Sequence, residues 1–437
     1  MNDLLAPWQP TAQDPFDLAK VGHLLRRAGF GASLPARRQL EQMGVDAAVE
    51  HVAAPAAGDP DDALLQDAIA FGDIARVRAW RVWLALHAER PLVQRVSYFW
   101  HGHFATSNKK LNDPRAMALQ QATFDRLGLH RFDELVAAMC RDPALLRWLD
   151  NDVSTKQQPN ENFARELFEL FTLGRGHYSE ADIRAAARCF TGWHVRDGAF
   201  FFHGRLHDDG DKELFGARGK LGGDDVVAAT VSRRESAEFL AERWLRFFVH
   251  PEPERKEVEA LANAYERAQR GVRATLVTLL KSRLFFSGRA MRSRVKSPAD
   301  FVLGLVRALG ARAAATELAA AMASLGETWC EPPSVEGWHG DRAWLSPASW
   351  LLRANFVADL LAGRTGKLQP RPLQLFERAR RPEDFARLAG LVLLDGVVGK
   401  DDAERLAAVA AAHGKDNDAA GIAVLHAAAC LPEYQMS

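Results

Sequence analysis

Apolar positions recur three and four residues apart along most of this chain, the pattern of amphipathic helices rather than strands. "LAKVGHLLRRAGFGAS" predicts a helix that Gly29 and Gly31 stop, and "DDALLQDAIAFGDIARVRAWRVWLALHAER" predicts one longer helix. Pro91 opens the next, at the first-turn position where a missing N–H leaves nothing unpaired. The same periodicity predicts helices over 131–149, 160–173, 180–192, 233–248, 254–270, 272–281, 297–309, 313–325, 347–363, 382–396, 401–413 and 417–430.

Two stretches break the pattern. Residues 195–223, "VRDGAFFFHGRLHDDGDKELFGARGKLGG", are glycine-rich and predict a short β-hairpin or irregular excursion between helices. "ETWCEPPSVEGWHGDRAWLSPAS" gathers Pro332, Pro333, two glycines and three tryptophans into one loop. The expected fold is mainly α: a large multi-helix orthogonal bundle forming a single domain over residues 1–437, with 365–437 as a C-terminal helical cap.

Composition narrows the function classes. The chain has 437 residues, 48% hydrophobic and 26% charged, which suits a globular protein with a sizeable core. Lys+Arg and Asp+Glu each total 56, and this balance argues against a dedicated nucleic-acid or anionic-membrane surface. Cys140, Cys189, Cys330 and Cys430 lie far apart with no CxxC pair, so neither a disulfide framework nor a cysteine zinc knuckle is expected. "MNDLLAPWQPTAQDPF" lacks the features of a secretory signal, and no apolar run approaches the roughly 18 residues of a spanning helix. A cytoplasmic protein is expected.

Candidate chemistry concentrates in four places. In "NENFARELFELFTLGRGHYSEADI", Phe163, Leu167, Leu170 and Phe171 make an apolar arc from which Glu161 and Arg165 point away. Glu166 falls on the edge of that arc, and Asn162, Glu166 and Glu169 form one stripe. An acid at the rim of a buried face needs a cation or a proton. Three readings stay open: a buried Glu–Arg lattice, a catalytic or metal-ligating Glu166, and a solvated face. Asn160 is a suitable N-cap. In "PLVQRVSYFWHGHFATSN", His103 extends the stripe of Leu92, Val96, Phe99 and Trp100 while His101 lies nearly opposite; HxH is also a metal-ligand spacing. "HDDGDKE" offers His207 and Asp208 as an imidazole and a hard oxygen ligand, or else a simple Asx-type turn. Trp338, His339 and Trp344 either line a pocket or pack a loop. GxGxxG, Walker A, HExxH and GxSxG motifs are missing, as are the ExxH pairs of two-iron bundles.

Taken in order, "HLLRRAGFG", "FWHGHF", "PNENFARELFELFTLG", "ADIRAAARCFTGW", "HDDGDKELFG" and "PPSVEGWHGDRAWLS" resemble the motifs of a bacterial family catalogued as domain of unknown function eighteen hundred, over about residues 20–356. The resemblance implies a predominantly helical protein and no established reaction. It also implies, as a partner, a sulfatase-like protein encoded nearby, with export in that partner's company. The matching polar positions are His103, Asn160, Glu161, Arg165, Glu166, Glu169, His207, Asp208 and Lys212.

The leading expectation is therefore an enzyme whose pocket gathers His103, Glu166, Glu169, His207 and Asp208 around a divalent metal such as zinc, iron or manganese. Glu166 and Glu169 would act in catalysis, with Arg165 or Lys212 binding an anionic substrate group. The alternative is a non-catalytic helical scaffold in which the same residues form a structural ion-pair network and the loop at 329–350 contacts a partner.

Overall fold

The computed structural model describes residues 4–54, 62–365, 374–414 and 416–437 of the chain. It is mainly helical, and several helices start where the sequence supplies a cap. The Asp17 carboxylate accepts from the N–H groups of Ala19 and Lys20, which opens Leu18–Arg27. Ser179 with Asp182, and Ser297 with Asp300, form reciprocal capping boxes ahead of Glu180–Cys189 and Pro298–Leu309.

Two expected helices are each divided. The long one after residue 61 is Asp62–Phe71 followed by Ile74–His87: Gly72 turns at a φ of 60° and Asp73 caps the second helix through Ala75 N–H at 2.9 Å. Likewise 131–149 is Phe132–Cys140 and Pro143–Trp148, because Asp142 caps a new helix that Pro143 begins. Asp61, and residues 366–373 of the expected C-terminal cap, lie outside the described residues. Beyond them Pro382–Leu393 packs against Lys400–Ala411 and Asn417–Ala429.

The excursion expected near 195–223 contains two hairpins. β1 (Trp193–Arg196) pairs antiparallel with β2 (Ala199–Phe202), turning through Asp197 and Gly198, both at positive φ. β3 (Lys212–Leu214) pairs with β4 (Ala217–Gly219). No helix among the described residues is long and apolar enough to cross a membrane.

Two large apolar clusters carry the packing. One gathers Trp100, Phe104, Phe171 and Trp244; the other gathers Phe301, Val357, Leu360 and Val424. Where they meet, charge is buried rather than avoided. Arg95 pairs with Asp300, and Arg26 and Arg37 share the Asp395 carboxylate at 2.5 Å each. Gly22 makes room for that carboxylate, since a Cβ there would lie 2.2 Å from Asp395 Oδ1.

Asp395→Asn keeps the shape and tolerates the left-handed backbone at φ 56°, yet leaves two guanidiniums without their anion. Urea unfolding of this variant is expected to show a loss of about 3–5 kcal/mol. A loss under about 1 kcal/mol, the size of an exposed pair, would show that Asp395 is not the tie between the first helices and the C-terminal ones.

Candidate functional site

The glutamate helix is not a uniform α-helix. Asn160 caps Glu161–Glu166 as expected, through Asn162 N–H at 2.9 Å, but Leu167–Thr172 winds as a π-helix. Leu173 N–H accordingly reaches back five residues to Phe168 O at 2.8 Å. This wide turn places Phe168 in the core beside Phe163, Leu167 and Phe171, while Leu170 is only half-buried. Wide π turns inside helices recur at functional sites. The carbonyls at its end are taken by side chains from elsewhere: Phe171 O by His103 Nε2 at 2.9 Å, and Leu170 O by Arg243 at 3.5 Å.

His103 and His101 end the Pro91–His103 helix, which stays helical through Gly102. Because a carbonyl only accepts, His103 carries its proton on Nε2. Its Nδ1 is buried with no hydrogen-bond partner, and its pKa lies well below the usual imidazole value through burial and the neighbouring Arg243. His101 faces the other way and is buried as well. Its Nε2 accepts from Cys330 N–H at 2.9 Å, and its ring meets Trp338 edge-on at 5.2 Å. The tryptophan loop is thereby pinned to the helix end. Gly337, at φ 84°, completes the contact: a Cβ there would lie 2.5 Å from Gly102 O.

Between that loop and the π-helix lies a cleft in two parts. The inner part, about 370 Å³, is lined by Tyr98, Phe99, Phe247, Trp338 and Trp344 together with His103, Arg243, Arg246 and Arg294. The outer part, about 620 Å³, carries Glu169, Glu235, Glu238 and Glu242, and both parts share Arg243, Glu336, Trp338 and Gly340. Arg243 Nε is buried without a hydrogen-bond partner. Arg294 donates to Phe247 O and lies over the Phe247 ring; burial and Arg95 pull its pKa down to about 10. Neither guanidinium has an ion-pair partner among the described residues.

Glu169 faces the cleft. It accepts from Arg175 Nε at 2.5 Å and from the Tyr178 hydroxyl at 3.0 Å, and Arg175 also lies 3.6 Å from Glu336. Burial and this bond push the Tyr178 pKa up to about 12. Glu166 is half-buried, and burial first, then the like charges of Glu169 and Glu336, raise its pKa. Its neighbour Arg165 turns instead to Glu180, at 2.8 and 2.9 Å, and to Glu161 at 3.8 Å.

The expected metal shell does not assemble. Among the described residues no group of three or more His, Cys, Asp or Glu side chains is arranged to hold a metal ion. His103 donates to the Phe171 carbonyl through Nε2, and Glu169 accepts from Arg175 and Tyr178. His207 gives its Nδ1 proton to Thr191 O at 2.8 Å. Asp208 takes two bonds from Arg188, at 2.6 and 3.2 Å, and one from Gly210 N–H at 2.9 Å, which is the Asx-type turn. Lys212, expected to bind an anion, is buried and donates to the carbonyls of Asp208, Gly210 and Leu221. These three residues hold the hairpin excursion together.

Sequence reasoning missed Arg243, Arg294 and Glu336. Arg243 had a signal: it interrupts the stripe Phe239, Arg243, Phe247 at i, i+4, i+8, an arginine in an aromatic row.

Burial and Arg81 hold His101 at a pKa of about 3, against 6.5 in the unfolded chain. The unfolded state therefore takes up a proton first, so this contribution is complete above pH 6.5 and fades as pH falls towards 3. Its slope is about 1.4 kcal/mol per pH unit. His101→Gln, which keeps an acceptor for Cys330 N–H, should show a stability-against-pH curve shallower by that amount between pH 6 and 4. Parallel urea-midpoint curves for the two proteins would refute the assignment.

Two comparisons return nothing: no curated protein and no solved structure matches this chain. A family model described as "Protein of unknown function (DUF1800)" matches residues 23–436, nearly the whole chain, and the protein belongs to that family.

Proposed function

We propose that the cleft binds a small anionic molecule with a flat apolar part, and that the protein is an enzyme working on it by carboxylate acid–base chemistry. The observation that carries this reading is the pair of cleft arginines, Arg243 and Arg294, which lie among five aromatic side chains without carboxylate partners. Cations taken partly out of water in this way are costly, and an anionic ligand would relieve them. The tryptophan loop supplies stacking faces. Glu169 and Glu336 line the outer end, and Glu166, whose pKa burial and then their like charges raise, is the candidate general acid. Glu169, held by Arg175 and Tyr178, is the candidate base.

Trp338 and Trp344 give the test a built-in signal. Aryl carboxylates and aryl phosphates should quench tryptophan fluorescence saturably, and their uncharged amide or ester analogues should not. Arg243→Met and Arg294→Met should each weaken binding by about tenfold or more, the loss of one charge-assisted hydrogen bond. Equal binding of charged and neutral analogues, or unchanged binding in both variants, would sink the reading.

A second measurement separates a working Glu166 from a structural one. In a functional group of like charges, Glu166→Gln removes repulsion and should leave the thermal midpoint unchanged or raise it. A marked drop would assign Glu166 to the ion-pair framework and favour the scaffold alternative.

A further inference from the structure

Behind the cleft, on the far side of Asp300, lies a second and much smaller cavity of about 30 Å³. Arg26 and Arg37 come to it from the first two helices, Lys296 and Asp300 from the segment that opens Pro298–Leu309, and Asp395 and Tyr434 from the C-terminal part. Asp300 lines both this cavity and the cleft.

Each polar atom left unsatisfied around it has a hydrogen to donate. Arg26 Nε, Arg37 Nε and the Tyr434 hydroxyl are buried with no hydrogen-bond partner. Lys296 is 4% exposed, has no ion-pair partner among the described residues, and places Nζ 3.4 Å from the centre of the Tyr434 ring. Arg37 and Tyr434 are each 3% exposed. Of the two carboxylates, Asp395 is already shared by Arg26 and Arg37, and Asp300 is held by Arg95.

A buried water satisfies its neighbours by accepting and donating in balance, usually through about three hydrogen bonds. Here three cations and a hydroxyl face two carboxylates that are already bonded, so the unmet demand is for an acceptor of negative charge. About 30 Å³ is open there to the centre of a water-sized sphere, room for one small ion. We propose that this cavity is a monovalent-anion site that takes a halide, chloride being the available one. The ion would join the first helix pair, the 295–300 segment and the C-terminal part, and would sit one carboxylate away from the cleft wall.

The test uses the full chain, exchanged into sodium gluconate and titrated with sodium chloride or bromide at constant ionic strength. The thermal midpoint should rise by about 2 °C or more and saturate, as mass action on a folded-state site requires. Sodium sulfate should give only the gradual, unsaturating rise of an excluded salt. Tyr434→Phe, which removes one donor and keeps the ring under Lys296, should shift saturation to at least about threefold higher halide, and Lys296→Met should abolish it. Crystals grown in bromide should show one anomalous peak in this cavity, beside Lys296 Nζ and the Tyr434 hydroxyl. A midpoint that does not rise saturably with halide, or a halide response unchanged in Tyr434→Phe, would overturn the proposal and leave the cavity to water.

Discussion

Arg95 and Asp300 form an ion pair with almost no exposure to water, and most of the candidate site hangs from it. Removing both charges from solvent costs several kcal/mol per ion, so such a pair persists only where further bonds and stacking complete it. Asp300 lies in the capping box of Ser297, and the Arg95 guanidinium lies over Phe30, Tyr98 and Phe247 at 5.1, 5.4 and 4.6 Å. The pair thereby fixes the Pro91–His103 helix against Pro298–Leu309 where the two apolar clusters meet. Tyr98, Phe99, Phe247 and Ser297 become one wall of the cleft as a consequence of that register. Replacing the pair by apolar groups of similar volume would preserve packing yet remove the constraint that orients this wall.

The neighbouring guanidiniums show how the same chemistry serves two ends. Arg81 meets Asp125, and Arg26 and Arg37 meet Asp395, so these cations are finished by the fold. Arg243 and Arg294 are finished only by backbone oxygens and aromatic faces, although Glu242 and Glu336 act on Arg243, and Asp300 and Asp341 on Arg294, at a distance. Asp341 instead accepts Val295 N–H through Oδ1 at 2.9 Å. That difference in partners, rather than charge alone, sets the cleft arginines apart.

Much of the fold was legible because it rests on local rules. Helical periodicity and caps located most helices, although Leu34–Met43, Val45–Ala53, Pro114–Leu127 and Gly223–Val231 were missed, and the glycine-rich stretch marked the excursion. Boundaries failed where a cap sat inside a continuous apolar pattern, as at Asp73 and Asp142. The π-helix at 167–172 left no trace in the periodicity, since six residues are too few to separate a wider turn from an ordinary one. The site was less legible for a different reason. His103, His207, Asp208 and Lys212 are residue types that ligate metals or anions, but each can equally satisfy backbone groups, and only tertiary contacts decide which. Trp338 and Trp344, which the sequence left between lining a pocket and packing a loop, line the cleft, whereas Glu336 gave no signal apart from standing in the same loop.

The HxH pair gains a physical meaning from these contacts that a metal-ligand spacing does not give it. Two residues apart on a helix, His101 and His103 point about 200° apart, so they cannot share one ion while the helix persists. They bond instead to opposite sides of the cleft: His101 to the tryptophan loop through Cys330 N–H, and His103 to the π-helix through Phe171 O. One imidazole must accept and the other must donate, and a neutral ring does either. Protonating His101 would remove the lone pair that holds Cys330, whereas protonating His103 would leave its bond to Phe171 intact. Acid therefore acts unequally on the two walls, loosening the tryptophan loop while the π-helix stays anchored.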